Sequence, residues 1–388
     1  MTPRKVLLEC LRFALLAVDG RRAVREQLAL HPLRGPWYVV AIGKAAAAMS
    51  QGAIDALGEL SAGGLIVVPE DHLPTGFAAE SHGLAVLYGS HPVPDASSLQ
   101  AGEGVARFVA GLPAEAQILF LVSGGASSLV EWLVPGATLD DLQALNRRAL
   151  QSGAPIGEVN ALRRKLSRLK GGGLARLAGA RRSRALMMSD VPGDDPRLIG
   201  SGLLHSGDHD LPHVPVRIVA SIRHACAAAA HAARLQGLHV SLVRSRFAGE
   251  AEALGTKFAA ALARLPAGVL QVRGGESTVR LPERPGRGGR NQHLALAAAI
   301  ALERRALNEA SLLAAGTDGI DGDSADAGAI VDGDTCQRGR DAGCDPGAAL
   351  AQADSGSFLE AAGDLLHTGP TLTNVGDLVL GLRMGGRR

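Results

Sequence analysis

The sequence predicts an α/β protein built on a doubly wound sheet, and three of its features carry that reading. Short apolar runs alternate with Ala/Leu-rich helical runs from end to end. The short runs are continuously apolar, as suits parallel strands buried on both faces. Helical runs regularly separate one strand from the next, the pattern of βα units.

In the first half, strands are expected at Trp37–Ile42, Leu65–Val68, Leu84–Leu87, Ile118–Val122 and Ala185–Met188, and helices at Lys5–Val18, Ala45–Leu57, Ser97–Ala110, Leu139–Gln151 and Glu158–Leu169. In the second half, strands are expected at Val216–Ala220, Val240–Val243, Val269–Val272, Thr278–Leu281 and Leu312–Ala315. Helices there are expected at Arg223–Gln236, Gly249–Leu265, Asn291–Arg304 and Phe358–Leu366. The proline- and histidine-containing stretch LHSGDHDLPHVP marks the boundary, giving domains over 1–212 and 213–388. Its histidines lack the i,i+4 helical spacing of a metal site and read as loop residues. The tail Gly385–Arg388 is expected to fray.

Composition bounds the function. At 388 residues the chain is long enough for two or three domains. Apolar residues make up 46% and aromatics only 3%, so the core is Ala, Leu and Val, and aromatic base-stacking platforms are not expected. A net charge of +2 gives no polyelectrolyte signal for nucleic acid or a membrane surface. No apolar run spans a bilayer, and Glu9 and Arg12 interrupt the apolar N-terminal segment, so no signal peptide is read. Cys10, Cys226, Cys336 and Cys344 form no C-x-x-C pair and read as reduced thiols, consistent with a cytoplasmic protein.

Ligands of an open α/β sheet bind beyond the carboxyl ends of its strands. The first strand ends in Gly43-Lys44 and runs into a helix, where glycine permits close approach, the helix start favours an anion and Lys44 adds charge. The fourth ends in Ser123-Gly124-Gly125-Ala126-Ser127-Ser128, which has the makings of an anion nest. A nucleophile elbow would need G-x-S-x-G; the closing glycine is absent, which disfavours a hydrolase. The fifth ends in Ser189-Asp190, a carboxylate able to bind Mg²⁺ or accept a proton. KLSRLKGGG offers Ser167, Lys170 and three glycines, either as a phosphate wrap or as a helix stop.

In the second half, RGGEST carries Glu276, and GRGGRNQ sets Arg287, Arg290 and Asn291 at a helix start suited to a polyanion such as a nucleotide triphosphate. Asp318, Asp321, Asp323 and Asp326 crowd a glycine-rich loop whose mutual repulsion calls for a cation or a basic partner, if the loop is not simply solvated. Together these parts suggest phosphoryl transfer, which needs positioning and charge neutralisation more than a covalent nucleophile.

The segments AIGKAAAAM, SHPVPDASS, LVSGGASSL, SGAPIGEVNALRRKLSRLKGGGLA, SDVPGDDP, GGEST, GRGGRNQHLAL, AAGTDGIDG and TGPTLTNVGDL occur in this order. With them the chain resembles the glycerate 2-kinase family, or class II glycerate kinases, whose C-terminal part is the MOFRL domain. The resemblance runs over nearly the whole chain. It implies a Rossmann-like N-terminal domain, a smaller mixed α/β C-terminal domain and an active site in the cleft between them. It implies D-glycerate and ATP as substrates, Mg²⁺ as cofactor and 2-phosphoglycerate as product.

By motif, the resemblance implies Lys44 near the transferring phosphate and Ser123, Gly124, Gly125 and Ser127 lining the glycerate or phosphate pocket. Arg163, Ser167 and Lys170 would complete the anion site. Asp190 would be catalytic base or Mg²⁺ organiser. Glu276, Arg290, Asn291, Asp318 and Asp321 would meet substrate or Mg-ATP, with Arg290 counted as catalytic. The alternatives are an NAD(P)H-dependent hydroxypyruvate reductase, against which the absence of G-x-G-x-x-G argues, and a silent metabolite-binding protein. The chain departs from the family pattern at Ala126, at Gly202-Leu203-Leu204 and at Asp354-Ser355-Gly356.

Overall fold

The computed structural model describes residues 2–74, 76–152, 156–205 and 212–385; for residues 146, 149–152 and 156–160 it describes the backbone alone. Most of the histidine-containing boundary loop, Gly153-Ala154-Pro155 of the SGAPIGEVN run and the last residues of the tail lie outside it. The chain divides into two compact units. One is Asp19–Ser221 with Leu372–Asn374; the other is Met1–Val18, Ile222–Thr371 and Val375–Arg388.

Besides Leu372–Asn374, this differs from a division into 1–212 and 213–388 in two places. Helix α1 (Pro3–Ala17) packs on helix α9 (Ile222–Leu235) and so joins the C-terminal unit, because its buried stripe of Val6, Leu7, Cys10, Leu11 and Ala14 finds its apolar partners there. The strand after the boundary loop, β6 below, pairs with the N-terminal sheet. A linear boundary read from one loop sees neither.

The unit of Asp19–Ser221 opens with α2 (Gly20–Leu30), capped by the Asp19 carboxylate, which accepts the Arg22 amide at 2.7 Å. Then follow β1 (Trp37–Ile42), α3 (Ala46–Leu57), β2 (Ser61–Val68), β3 (Leu84–Tyr88), α4 (Ala96–Gly111), β4 (Gln117–Val122), α5 (Ala126–Leu129), α6 (Leu139–Ser152), α7 (Ile156–Leu166), α8 (Gly173–Ala178), β5 (Arg182–Ser189) and β6 (Val216–Ser221). The six strands are parallel and lie in the order β3-β2-β1-β4-β5-β6, the doubly wound order of a Rossmann sheet. Their apolar runs are fully covered: Val39, Val40, Ala41, Ile42, Ile118, Leu119, Phe120 and Leu121 are each 0% exposed.

The C-terminal unit continues from α9 through β7 (His239–Leu242), β8 (Phe247–Glu250), α10 (Ala251–Leu262), β9 (Val269–Thr278), α11 (Arg290–Glu303), β10 (Ala310–Gly316), β11 (Gly328–Asp332), α12 (Thr335–Asp341), α13 (Pro346–Ala351), α14 (Ser355–Ala361), β12 (Leu365–Leu366) and β13 (Asp377–Arg383). Its sheet is mixed, in the order β12-β11-β10-β13-β9-β7, with β8 also pairing β9. Strands β10, β11, β12 and β13, and the β13–β9 pair, are antiparallel; β7 and β8 run parallel to β9. Helix α11 is buried nearly all round, from Asn291 to Leu302.

Several expected elements differ. Val269–Val272 and Thr278–Leu281 are not two strands: β9 runs unbroken to Thr278, because β13 and β8 hold Gly274 and Gly275 in register, and residues 279–281 leave the sheet. The helix expected over Phe358–Leu366 stops at Ala361, and Leu365–Leu366 become a short strand after Gly363 turns the chain at φ +73°. Among the described residues no helix is long and apolar enough to cross a membrane, and all four cysteines are free.

Candidate active site

In the Rossmann-like sheet the strand order reverses between β1 and β4, and the crevice beyond their carboxyl ends is the rule-given place for a ligand. Gly43 leaves β1 at φ +133°, and a side chain there would collide with Ser123. That close approach lets Lys44 N–H donate to the Gly124 carbonyl at 2.9 Å, while Ala45 N–H donates to Ser123 Oγ at 3.0 Å. Ser123 is thus a buried brace between the two loops. Ala45, the N-cap residue of α3, has no side-chain cap of its own, and the helix starts directly beside Lys44.

The serine–glycine loop after β4 supplies donors. Among the described residues the amides of Gly124 and Gly125 have no acceptor, the arrangement that lets a backbone nest take an anion. Lys44 makes no ion pair or side-chain hydrogen bond among the described residues, and its stem lies against Gly125. The Asp190 carboxylate, just beyond β5, occupies the space where Gly124 would carry a side chain. Ser127 Oγ and Ser201 Oγ share a hydrogen bond at 2.6 Å. Lys44, Ser123, Gly124, Gly125 and Asp190 therefore gather at three adjacent strand tips.

His91, beyond β3, was not among the expected residues. Its imidazole flanks Gly125 on the side of Lys44. Burial pushes its pKa down to about 4, aided by the charges of Lys44 and His72 and opposed by Asp71, so it is neutral near pH 7. Asp71 and His72, beyond β2, are paired at 2.8 Å, and the His72 contact holds the Asp71 carboxyl below its usual range. The strand-tip rule, applied to β2 and β3 as it was to β1, β4 and β5, points to these three residues.

The KLSRLKGGG run is built differently from the expectation. Lys170 is 3% exposed and its ammonium is held by Glu131, which is 0% exposed. Burial lowers the Lys170 pKa and Glu131 opposes the shift; Arg163, also lowered by burial, feels the same carboxylate. The Lys170 charge is thus neutralised inside the unit. Ser167 Oγ accepts the amides of Leu169 and Lys170, both at 3.3 Å, and so shapes the turn.

In the C-terminal unit the basic and acidic motifs largely satisfy each other. Arg290 donates twice to Asp377, at 2.7 and 3.0 Å, and pairs with Glu276 at 3.0 Å. Burial alone would lower its pKa, but Asp377 and Glu276 outweigh burial and raise it. Asp321 accepts from the amides of Asn291 and Gln292 at 3.0 and 2.7 Å and from the Asn291 side chain at 3.2 Å, which caps α11. Asp323 accepts the Gly288 amide at 3.2 Å, Asp318 Oδ1 accepts the Ile320 amide at 3.3 Å, and Asp326 pairs with His367. The repulsion expected of this acidic loop is relieved by separate local donors, and among the described residues no group of three His, Cys, Asp or Glu could hold a metal ion. Beside the start of α11 lies a hollow of about 340 Å³ lined by Gly288, Gly289, Arg290, His293 and Asp323 among others.

Comparison with known proteins agrees with this architecture. Residues 6–234 match the family described as "Domain of unknown function (DUF4147)", and residues 269–377 match the MOFRL family. A protein of Agrobacterium vitis that carries a provisional hydroxypyruvate reductase name is 37% identical over 97% of this chain and 94% of its own. The D-glycerate 2-kinase of Thermotoga maritima is 33% identical over 98% of each chain. A crystal structure of a glycerate kinase from the same organism superposes with a TM-score of 0.89 at 32% identity, covering 98% of this chain and 99% of that one. With both halves matched and the whole chain aligned, this protein belongs to the glycerate 2-kinase family with a C-terminal MOFRL domain.

Proposed function

We propose that the protein catalyses the ATP-dependent phosphorylation of D-glycerate at its 2-hydroxyl, giving 2-phosphoglycerate and ADP. The observation that carries this reading is the cradle at the β1/β4 reversal, where the open amides of Gly124 and Gly125, the start of α3 and Lys44 converge beside Asp190. Its names come from the kinase relatives.

In this reading the cradle binds an anionic group, either the glycerate carboxylate or the transferring phosphoryl group. Lys44 draws off negative charge as the bond to the leaving ADP oxygen breaks, which is the main demand of phosphoryl transfer. Asp190 accepts the proton of the attacking 2-hydroxyl. Neutral His91 adds a hydrogen-bonding group without adding charge. Arg290, locked by Asp377 and Glu276, presents a fixed guanidinium beside the α11 hollow, suited to an anionic group of substrate or nucleotide. Glu276, Asn291, Asp318 and Asp321 are the further substrate or nucleotide contacts of this reading.

A Mg²⁺ that enters with the nucleotide fits these residues. Such an ion is ordinarily held by one or two carboxylates together with substrate phosphates, and Asp190 offers one at a strand tip. When bound it would neutralise phosphate charge. The free cysteines suit a reducing cytoplasm.

An enolase–pyruvate kinase coupled assay lacking phosphoglycerate mutase tests the reading, because it responds to 2-phosphoglycerate and not to the 3-isomer. ATP- and glycerate-dependent signal is the expected result; a product that is only 3-phosphoglycerate, or none, overturns it. The reductase name of one relative predicts loss of NAD(P)H absorbance with hydroxypyruvate. The turn Gly43-Lys44-Ala45-Ala46-Ala47 carries one glycine where a dinucleotide fingerprint has several, so no loss is expected.

A further inference from the structure

The loop that carries the open amides of Gly124 and Gly125 is fixed at both ends. At its near end it is tied to the backbone that leaves β1: Ser123 Oγ accepts the Ala45 amide at 3.0 Å and the Gly124 carbonyl accepts the Lys44 amide at 2.9 Å. At its far end α5 holds the Gly125 carbonyl, which accepts the amides of Ser128 and Leu129 at 3.0 and 3.3 Å. Ser127 links that turn to a third loop, because its hydroxyl shares the 2.6 Å hydrogen bond with Ser201. Ser201 lies between β5 and β6 and is 1% exposed.

The backbone at Ser201 is strained. Gly200, Ser201 and Gly202 are successive left-handed residues, at φ +58°, +59° and +74°. Glycine enters that region without steric penalty, whereas the serine between the two glycines carries a Cβ that disfavours it. Such a residue persists where its surroundings over-determine it, and the hydroxyl bonded to Ser127 is what a glycine would lack. The segment is firmly backed by the KLSRLKGGG run. Gly171 N–H donates to the Ser201 carbonyl at 3.3 Å, Gly172 N–H to that of Gly202 at 2.7 Å and Leu174 N–H to that of Leu203 at 3.1 Å. These donors follow Lys170, which Glu131 holds inside the unit. A side chain at Gly200 would crowd Leu203 at 3.1 Å and Ala126 at 3.4 Å, so glycine there lets the segment close on the start of α5.

We propose that Ser201 is a positioning residue of the candidate active site: its hydroxyl anchors Ser127 and so fixes the far end of the loop whose amides take the anion. The catalytic use of that loop rests on the kinase reading, but its anion binding is measured without turnover. Calorimetric titration of the full chain with inorganic phosphate tests the proposal. Wild-type protein is expected to bind phosphate and Lys44→Ala to lose that binding, which places the probe in the cradle. Ser201→Gly removes the hydroxyl and suits the left-handed backbone. It should weaken phosphate by about fivefold or more at unchanged stoichiometry. A merely structural loss would remove sites and leave the affinity of those that remain. Ser127→Ala should weaken phosphate to the same extent, and the double variant no further, because both changes break one hydrogen bond. Absence of phosphate binding, binding that survives Lys44→Ala, unaltered affinity in Ser201→Gly, a fall in stoichiometry alone, or additive losses in the double variant overturns the proposal. A chain silent in the coupled assay that still shows the Ser201-dependent binding would overturn only the kinase reading.

Discussion

Lys44 and Lys170 are both lysines beside glycines in loops of the same parallel sheet unit, and the fold treats them in opposite ways. Lys44 stands at a strand tip beside open amides and has no ion-pair partner among the described residues. Lys170 is enclosed and spent on Glu131. The α11 region of the second unit behaves like Lys170: Arg290 and Asp321 meet buried or local partners before any ligand arrives. A charged residue in a glycine-rich motif therefore signals a site only where its partner is left for the ligand to supply.

The largest expected effect lies at the buried pair. Glu131→Ala leaves the Lys170 ammonium without its partner and is expected to cost about 3–5 kcal/mol of stability, read by denaturant unfolding. An unchanged midpoint would mean that the pair is solvated and that Lys170 is available after all. Lys44→Ala should do the reverse: kcat falls by about 10²–10³ while the unfolding midpoint stays near wild type. A large loss of stability with kcat preserved would make Lys44 structural.

Asp321→Ala removes the acceptor of two α11 amides and should cost about 1–2 kcal/mol, again by denaturant unfolding. No loss would show that the cap is idle and would restore Asp321 as a candidate ligand.

The smallest effect is a pH slope. His91 has a folded pKa of about 4, below its ordinary 6.5, so between those values the unfolded chain binds more protons. Stability should fall as pH drops through that window, by at most about 1.4 kcal/mol per pH unit. His91→Gln should flatten that part of the profile. The same slope in both proteins would move the imidazole out of the Lys44 pocket.

Much of this molecule is legible along the chain, for definite reasons. Strands β1, β4 and β5 are continuous apolar runs that stop at glycine, serine or aspartate, so hydrophobicity alone marks them. Helix α2 was missed because its polar sequence GRRAVREQLAL buries only a narrow stripe. Strands β8, β11, β12 and β13 are not expected from the sequence, because they are short or lie late in a glycine-rich region, and partner strands rather than local pattern hold them. Within the site, Lys44, Ser123, Gly124, Gly125 and Asp190 were legible as strand-end residues. His91 was not picked out, since a histidine before proline carries no charge pattern of its own.

By itself the sequence determined the alternation of elements, the covered parallel strands, the glycine-lined loops and the resemblance to glycerate 2-kinases, because these depend on neighbours along the chain. Tertiary structure alone decided that α1 joins the C-terminal unit, that Lys170 is cancelled by Glu131, that Arg290 is held by Asp377, and that Ser201 reaches Ser127. Whether a charge is paired or open depends on residues tens or hundreds of positions away, and no local pattern encodes that.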